Sequence, residues 1–145
     1  MSMKPDTKPV KKGKVFAIDF ETYYGKELSI DTHGLYHYLH DPAASIYLVS
    51  IYSPESDGEF AYVGKPEDFD WQMLDGSTLC AHNARFDRAC FERLRELGIV
   101  PAELRVDWVC TADMASALSY GRSLKASVEG AFGISISKET RTDMK

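Results

Sequence analysis

The sequence predicts a single α/β domain in which a mixed sheet carries an antiparallel hairpin and helices pack against it. Three observations predict it. Short apolar runs recur as β, β-hairpin, β, α, β, α, α along residues 15–133. The run Val15-Phe16-Ala17-Ile18 is continuously apolar, which marks a strand covered on both faces and therefore central. The residues Asp87, Cys90, Phe91 and Leu94 recur at i, i+3, i+4 and i+7, which marks a helix with one buried stripe.

The elements follow in order. The first strand leads from Val15 into Asp19-Phe20-Glu21. Ile46 to Tyr52, rich in β-branched and aromatic residues, is the second strand; the turn at Pro54 to Gly58 returns it as Phe60 to Val63. Residues 55–75 hold seven acids and one lysine and read as a solvated face. Ser77 to Ala81 is the fourth strand. Asn83 caps the helix behind it, and Gly98 and Pro101 end that helix. Val106 to Cys110 is a short fifth strand and Thr111 to Leu118 a short helix, broken at Gly121. Ser123 caps a last helix that runs through Leu124, Val128 and Phe132 to Gly133. Residues 1–14 read as a flexible basic arm, and residues 134–145 as a polar tail or the start of a continuation.

Composition narrows the class. The 145 residues are 44% apolar, 27% charged and 12% aromatic, a globular balance that excludes disorder, collagen and coiled coil. Three cysteines, an odd number, argue against a disulfide framework. No apolar stretch approaches the roughly 20 residues of a membrane helix, and no apolar segment follows the basic start as in a secretory leader, so the expected location is the cytoplasm, with no membrane partner. Residues 1–14 carry five lysines against Asp6, a net charge of +4, which leaves −9 on residues 15–145. Such a body does not grip bare phosphate by charge; it suits a protein that meets an anionic substrate through divalent cations.

The chemistry concentrates at the end of the first strand. Asp19 and Glu21 are two apart, so on a strand they share a face, roughly 6.6 Å apart along the chain. Two carboxylates side by side repel and need a proton, a basic group or a metal ion between them. Asp87 lies one turn into the following helix, roughly 6 Å of rise beyond Asn83, on the apolar stripe. An acid on such a stripe needs a partner. If the fourth strand lies beside the first, the three acids face one another, and magnesium or manganese, which prefer carboxylate and water oxygens, would make the pocket tolerable. Other constellations are weaker. The spacing of Cys80, His82, Cys90 and Cys110 is not that of a structural zinc site, and the three thiols read as packing residues. His33, His37 and His40 fit one helical side and read as surface and packing histidines. Arg85, Arg88, Arg93 and Arg95 either meet phosphate or form the wet side of a helix that also carries Glu92 and Glu96.

With FAIDFET at residues 16–22 and HNARFDR at residues 82–88, the sequence resembles the DnaQ-like (DEDD) superfamily of 3′–5′ exonucleases. It is most similar to the N-terminal proofreading domain of bacteriophage-type family A DNA polymerases. That likeness rests on Tyr23 after FET, on Gly34-Leu35-Tyr36, and on the pattern around Cys110-Thr111 and Ser123-Leu124, over residues 15–138. The resemblance implies a ribonuclease H-like sheet and hydrolysis of DNA phosphodiester bonds from a single-stranded 3′ end. It implies Asp19, Glu21 and Asp87 as catalytic metal ligands for two Mg2+ or Mn2+ ions about 3.5–4 Å apart. It places Phe20, Thr22, Tyr23, His82 and Asn83 on the substrate side, with Phe20 or Tyr23 stacking on the terminal base and Asn83 near the sugar-phosphate. The family's third motif, a carboxylate on a later helix with a tyrosine or histidine four residues before it, has no counterpart after Gly133; Asp143 is preceded at that distance by Glu139. The second ion is then expected to be weak, and activity of the chain alone low. A DNA polymerase domain or a separate chain is expected to complete the fold, over an apolar patch where the last helix would lie. The host cytoplasm is the location if the source is a phage. A non-catalytic docking domain of a replication protein and an exoribonuclease remain as alternatives.

Overall fold

A computed structural model describes residues 14–23, 30–54 and 59–136. Its elements are β1 (Val15–Tyr23), α1 (Ile30–His40), β2 (Ser45–Ser53), β3 (Phe60–Gly64), β4 (Ser77–Ala81), α2 (Ala84–Glu96), β5 (Val106–Cys110), α3 (Thr111–Ala117) and α4 (Leu124–Phe132), with two short 3-10 turns at Pro66–Asp68 and Trp71–Leu74. The arm at 1–13 and the tail from 137 onward lie outside the described residues.

The five strands form one sheet in the order β3-β2-β1-β4-β5. β1 is central, as expected, but its apolar run is covered on one face only: Val15 and Ala17 are exposed. It pairs antiparallel with β2, which pairs antiparallel with β3 to make the hairpin, and parallel with β4, which pairs parallel with β5. The molecule is thus a mixed α/β fold with a five-stranded sheet flanked by helices. The β1–β2 ladder shifts register between Glu21 and Thr22: Glu21 faces Leu48 and Thr22 faces Ile46, so Tyr47 is an extra residue on β2.

One face of the sheet makes the core. Phe16, Ile18 and Phe20 of β1, Val49 and Ile51 of β2 and Leu79 and Ala81 of β4 are buried on it. From α2, Ala84, Cys90, Phe91 and Leu94 close over them, as the periodicity requires. Burying a Leu or Phe side chain of this kind contributes about 1.5–3 kcal/mol relative to exposure. Phe91 stands edge-on to Trp71 and Trp108, with centroids 5.8 and 5.6 Å away. The opposite face is open among the described residues: Val15, Ala17, Asp19, Tyr52, Ala61 and Val63 are exposed there, Val63 by 69%.

Two sequence expectations change. α1 is absent from the sequence reading, because Gly34, at φ 76 and ψ 157, interrupts the helical path inside it and breaks the apolar period. The acidic segment at 55–75 is more than a wet surface. In its described part the acids are exposed, but Pro66, Phe69, Trp71 and Leu74 turn inward and close one edge of the core. The Trp71 indole N–H donates to the Pro66 carbonyl at 2.8 Å, which satisfies the polar end of a buried ring.

The terminal signals of the other helices act largely as read. Ser123 accepts the Ala126 N–H at 3.0 Å. Behind α2, Gly98 sits at φ 77, and the N–H groups of Gly98 and Ile99 donate to the carbonyls of Arg95 and Leu94. Asn83 differs. It precedes α2 in the left-handed conformation, φ 66 and ψ 61, and its side chain makes no cap hydrogen bond.

Candidate carboxylate site at the end of the central strand

β1 makes its last ladder pair with β4 at Ala17 and Cys80, yet it continues to Tyr23. β4 stops at Ala81 and the chain turns through His82 and Asn83 into α2. Beyond Ala17, β1 therefore has no strand beside it on that side, and its backbone groups need other partners. Asp87 supplies one: its Oδ1 accepts the Phe20 N–H at 3.0 Å. The carboxyl of α2 is thus fixed to the peptide between Asp19 and Glu21.

Asp87 is 2% exposed, while Glu21 is half-buried and Asp19 exposed. Burial pushes the Asp87 carboxyl up to about 7; the Phe20 N–H pulls it down, and the negative charges of Asp19 and then Glu21 push it up again. Asp87 thus lies within the field of the two acids of β1. Cys90, one turn further along α2, has its thiol pushed up by burial and by the charges of Asp87 and Asp19. Even so, among the described residues no three His, Cys, Asp or Glu side chains are gathered closely enough to hold a metal ion. The donor chemistry suits a hard divalent cation, since all three groups offer carboxyl oxygen, with Asp87 giving up its proton to serve. The side chains do not stand preassembled around one.

The expected substrate-side residues divide. Tyr23, at the tip of β1, is 64% exposed, and Asn83 is exposed at the start of α2. Thr22 is half-buried and shares a 2.7 Å hydrogen bond with the Tyr38 hydroxyl of α1. Phe20, expected to stack on a base, is instead 2% exposed and stacks on Trp71 with centroids 6.3 Å apart. Period two puts its ring on the core side, opposite to Asp19 and Glu21, so its contribution to the site is the backbone N–H. His82 has both ring nitrogens engaged within the protein. Nε2 donates to the Arg122 carbonyl, which can only accept, and Nδ1 shares a hydrogen bond with the Thr111 hydroxyl at 2.9 Å. His82 therefore ties the β4–α2 turn to the segments around α3.

Tyr38, Trp71, Thr111 and Arg122 carry no local sequence signal for these roles. Each acts through a partner distant in the chain. Cys90 is buried, Cys80 and Cys110 are half-buried, and all three are free thiols. The Cys110 sulfur receives the Ala84 N–H at 3.4 Å, at the first turn of α2.

Comparison with family models, with curated proteins and with solved structures finds no match. Among the described residues no helix is long and apolar enough to cross a membrane.

Proposed function

We propose that the chain is a metal-dependent 3′–5′ exonuclease-type domain with a ribonuclease H-like sheet, acting on the 3′ end of single-stranded DNA. The observation that carries this reading is the buried Asp87 carboxyl, anchored on the Phe20 N–H between Asp19 and Glu21 and raised by both of their charges. A desolvated acid within the field of two others is a costly arrangement for a purely structural role. It becomes favourable when a cation is shared.

Asp19, Glu21 and Asp87 would hold Mg2+ or Mn2+. Bound there, such ions would supply Lewis-acid activation of a water and charge neutralisation for phosphodiester hydrolysis. The chain's own residues supply the frame. The Phe20 N–H orients Asp87, and the Thr22–Tyr38 bond fixes the tip of β1 against α1. Tyr23 offers an exposed ring to a terminal base, and Asn83 offers a side-chain amide to the sugar-phosphate. A polymerase domain or separate chain bringing a fourth carboxylate belongs to the same proposal.

A non-catalytic docking domain is the second reading, favoured by the three acids' not being gathered to ion-holding distance among the described residues. Manganese titration with a 3′-labelled strand separates the two. Calorimetric Mn2+ binding that Asp87→Asn and Asp19→Asn abolish, with metal-dependent release of 3′ nucleotides from DNA, supports the nuclease. Absence of both heat and cleavage supports the scaffold. Faster cleavage of an RNA strand than of DNA would reassign the substrate.

A further inference from the structure

α2 has a second face. Arg85, Arg88, Glu92, Arg93 and Glu96 fall at i, i+3, i+7, i+8 and i+11, one stripe turned away from the Asp87–Leu94 stripe. This stripe lines a groove of about 970 Å³ between α2 and the part of α1 beyond Gly34, reaching Arg122 at its far wall. The acids along the groove are already matched. Glu92 pairs with Arg95, Glu96 with Arg93 and His40, and Asp113 with Arg122. Arg85 and Arg88 are exposed and have no ion-pair partner among the described residues. Two unmatched guanidinium groups therefore stand side by side on a chain whose net charge is −5. Opposite them Tyr36 is 68% exposed, and its ring stacks on His40 at 4.0 Å and 21°. Asn83 also lines the groove, so it opens at the end of α2 that carries Asp87.

We infer that this groove holds a single nucleic-acid strand, with Arg85 and Arg88 on its phosphates and the Tyr36 ring beneath a base. Guanidinium forks match phosphate oxygens, and an exposed aromatic face accepts any base. The choice of a nucleic-acid strand over another polyanion rests on the nuclease reading. The groove itself does not depend on the carboxylates, whose negative field repels a strand when no cation is present.

The test is fluorescence anisotropy of a fluorescein-labelled oligothymidylate with the full chain in EDTA. The wild type is expected to bind. Arg85→Gln/Arg88→Gln, both changes on the surface, should weaken binding about tenfold at low salt and reduce the slope of log K against log salt by about 1.4. Tyr36→Ala should weaken binding with the slope unchanged, because stacking releases no counterion. No binding by the wild type, or wild-type affinity and slope in the double variant, overturns the inference. Displacement of the strand by polyglutamate at equal residue concentration overturns the nucleic-acid assignment and points to an acidic protein segment. Groove binding in EDTA, with no Mn2+ binding that Asp19→Asn or Asp87→Asn abolishes, leaves the inference standing and removes the nuclease reading.

Discussion

The carboxyl of Asp87 accepts the backbone N–H of Phe20 at 3.0 Å, across sixty-seven positions of sequence. One bond therefore ties α2 to the central strand between two further acids. It replaces the ladder partner that β4 does not provide beyond Ala17.

The first consequence is a pH dependence of stability. In the fold the Asp87 carboxyl titrates at about 7, against about 3.9 for an unfolded Asp. Between those values the folded state binds more protons than the unfolded one. The associated stability is full below about pH 4 and is lost as pH rises through 7. Each tenfold difference in proton affinity between the two states corresponds to about 1.4 kcal/mol. Without metal, urea midpoints should fall between about pH 4 and pH 7, and Asp87→Asn should flatten that fall. A wild-type midpoint that rises over this interval would contradict the assignment.

A cation should reverse the trend. Mn2+ favours the ionised carboxylate, so its stabilising effect should grow with pH. At ten times its Kd the gain is about 1.4 kcal/mol, or roughly 3–6 °C in Tm for a chain of this size. Asp87→Asn should erase the Mn2+-dependent shift in differential scanning fluorimetry. An equal shift in wild type and variant would place the ion elsewhere.

Arg95 holds the loop behind α2. Its guanidinium donates to the carbonyls of Pro101, Ala102 and Leu104 at 3.2, 2.8 and 3.0 Å and to Glu92 at 3.1 Å, and it lies over the Phe91 ring at 5.2 Å. Arg95→Ala should cost about 1.5–3 kcal/mol. Arg95→Lys should recover only part, since an ammonium on the three carbonyls that Nη1 now meets gives up the Nε bond to Glu92 and the planar contact with Phe91. Chemical denaturation of both variants checks this, and a lysine variant as stable as wild type would refute it.

Phe91→Ala should be the most damaging of these changes, at about 3–5 kcal/mol. The chain has two tryptophans, and both stand edge-on to Phe91. Tryptophan emission of the folded variant should therefore shift along with the loss of stability. A spectrum identical to wild type would show the packing to be otherwise.

Much of this fold is legible in residue order. The apolar run at Val15 to Ile18 gives the central strand, the alternation either side of Pro54 gives the hairpin, and the Asp87–Leu94 spacing gives the buried stripe of α2. The approach of Asp87 to the first strand is legible too, because an acid on an apolar stripe demands a partner, and it finds the Phe20 N–H. Other features depend on contacts between distant segments. α1 is hidden by the break at Gly34. The inward turn of Trp71 and Leu74 is hidden by the surrounding acids. The role of Phe20 is misleading in sequence because its residue type suggests a ring at work, while the pleat gives the site only its N–H. His82 is occupied by Thr111 and Arg122, which local spacing does not relate to it.

The register shift at Tyr47 has a geometric result for the rim of the sheet. Strict alternation inward from Ile51 and Val49 would point Tyr47 at the core and Ile46 at the outside. The extra residue changes the phase, so Ile46 packs inward and Tyr47 stays 43% exposed. Such an insertion also coils the strand more tightly at that point. Thr22 and Tyr23 therefore face Ile46 and Ser45 in place of Tyr47 and Ile46, and a single added amino acid on the neighbouring strand resets the partners of the central strand's tip.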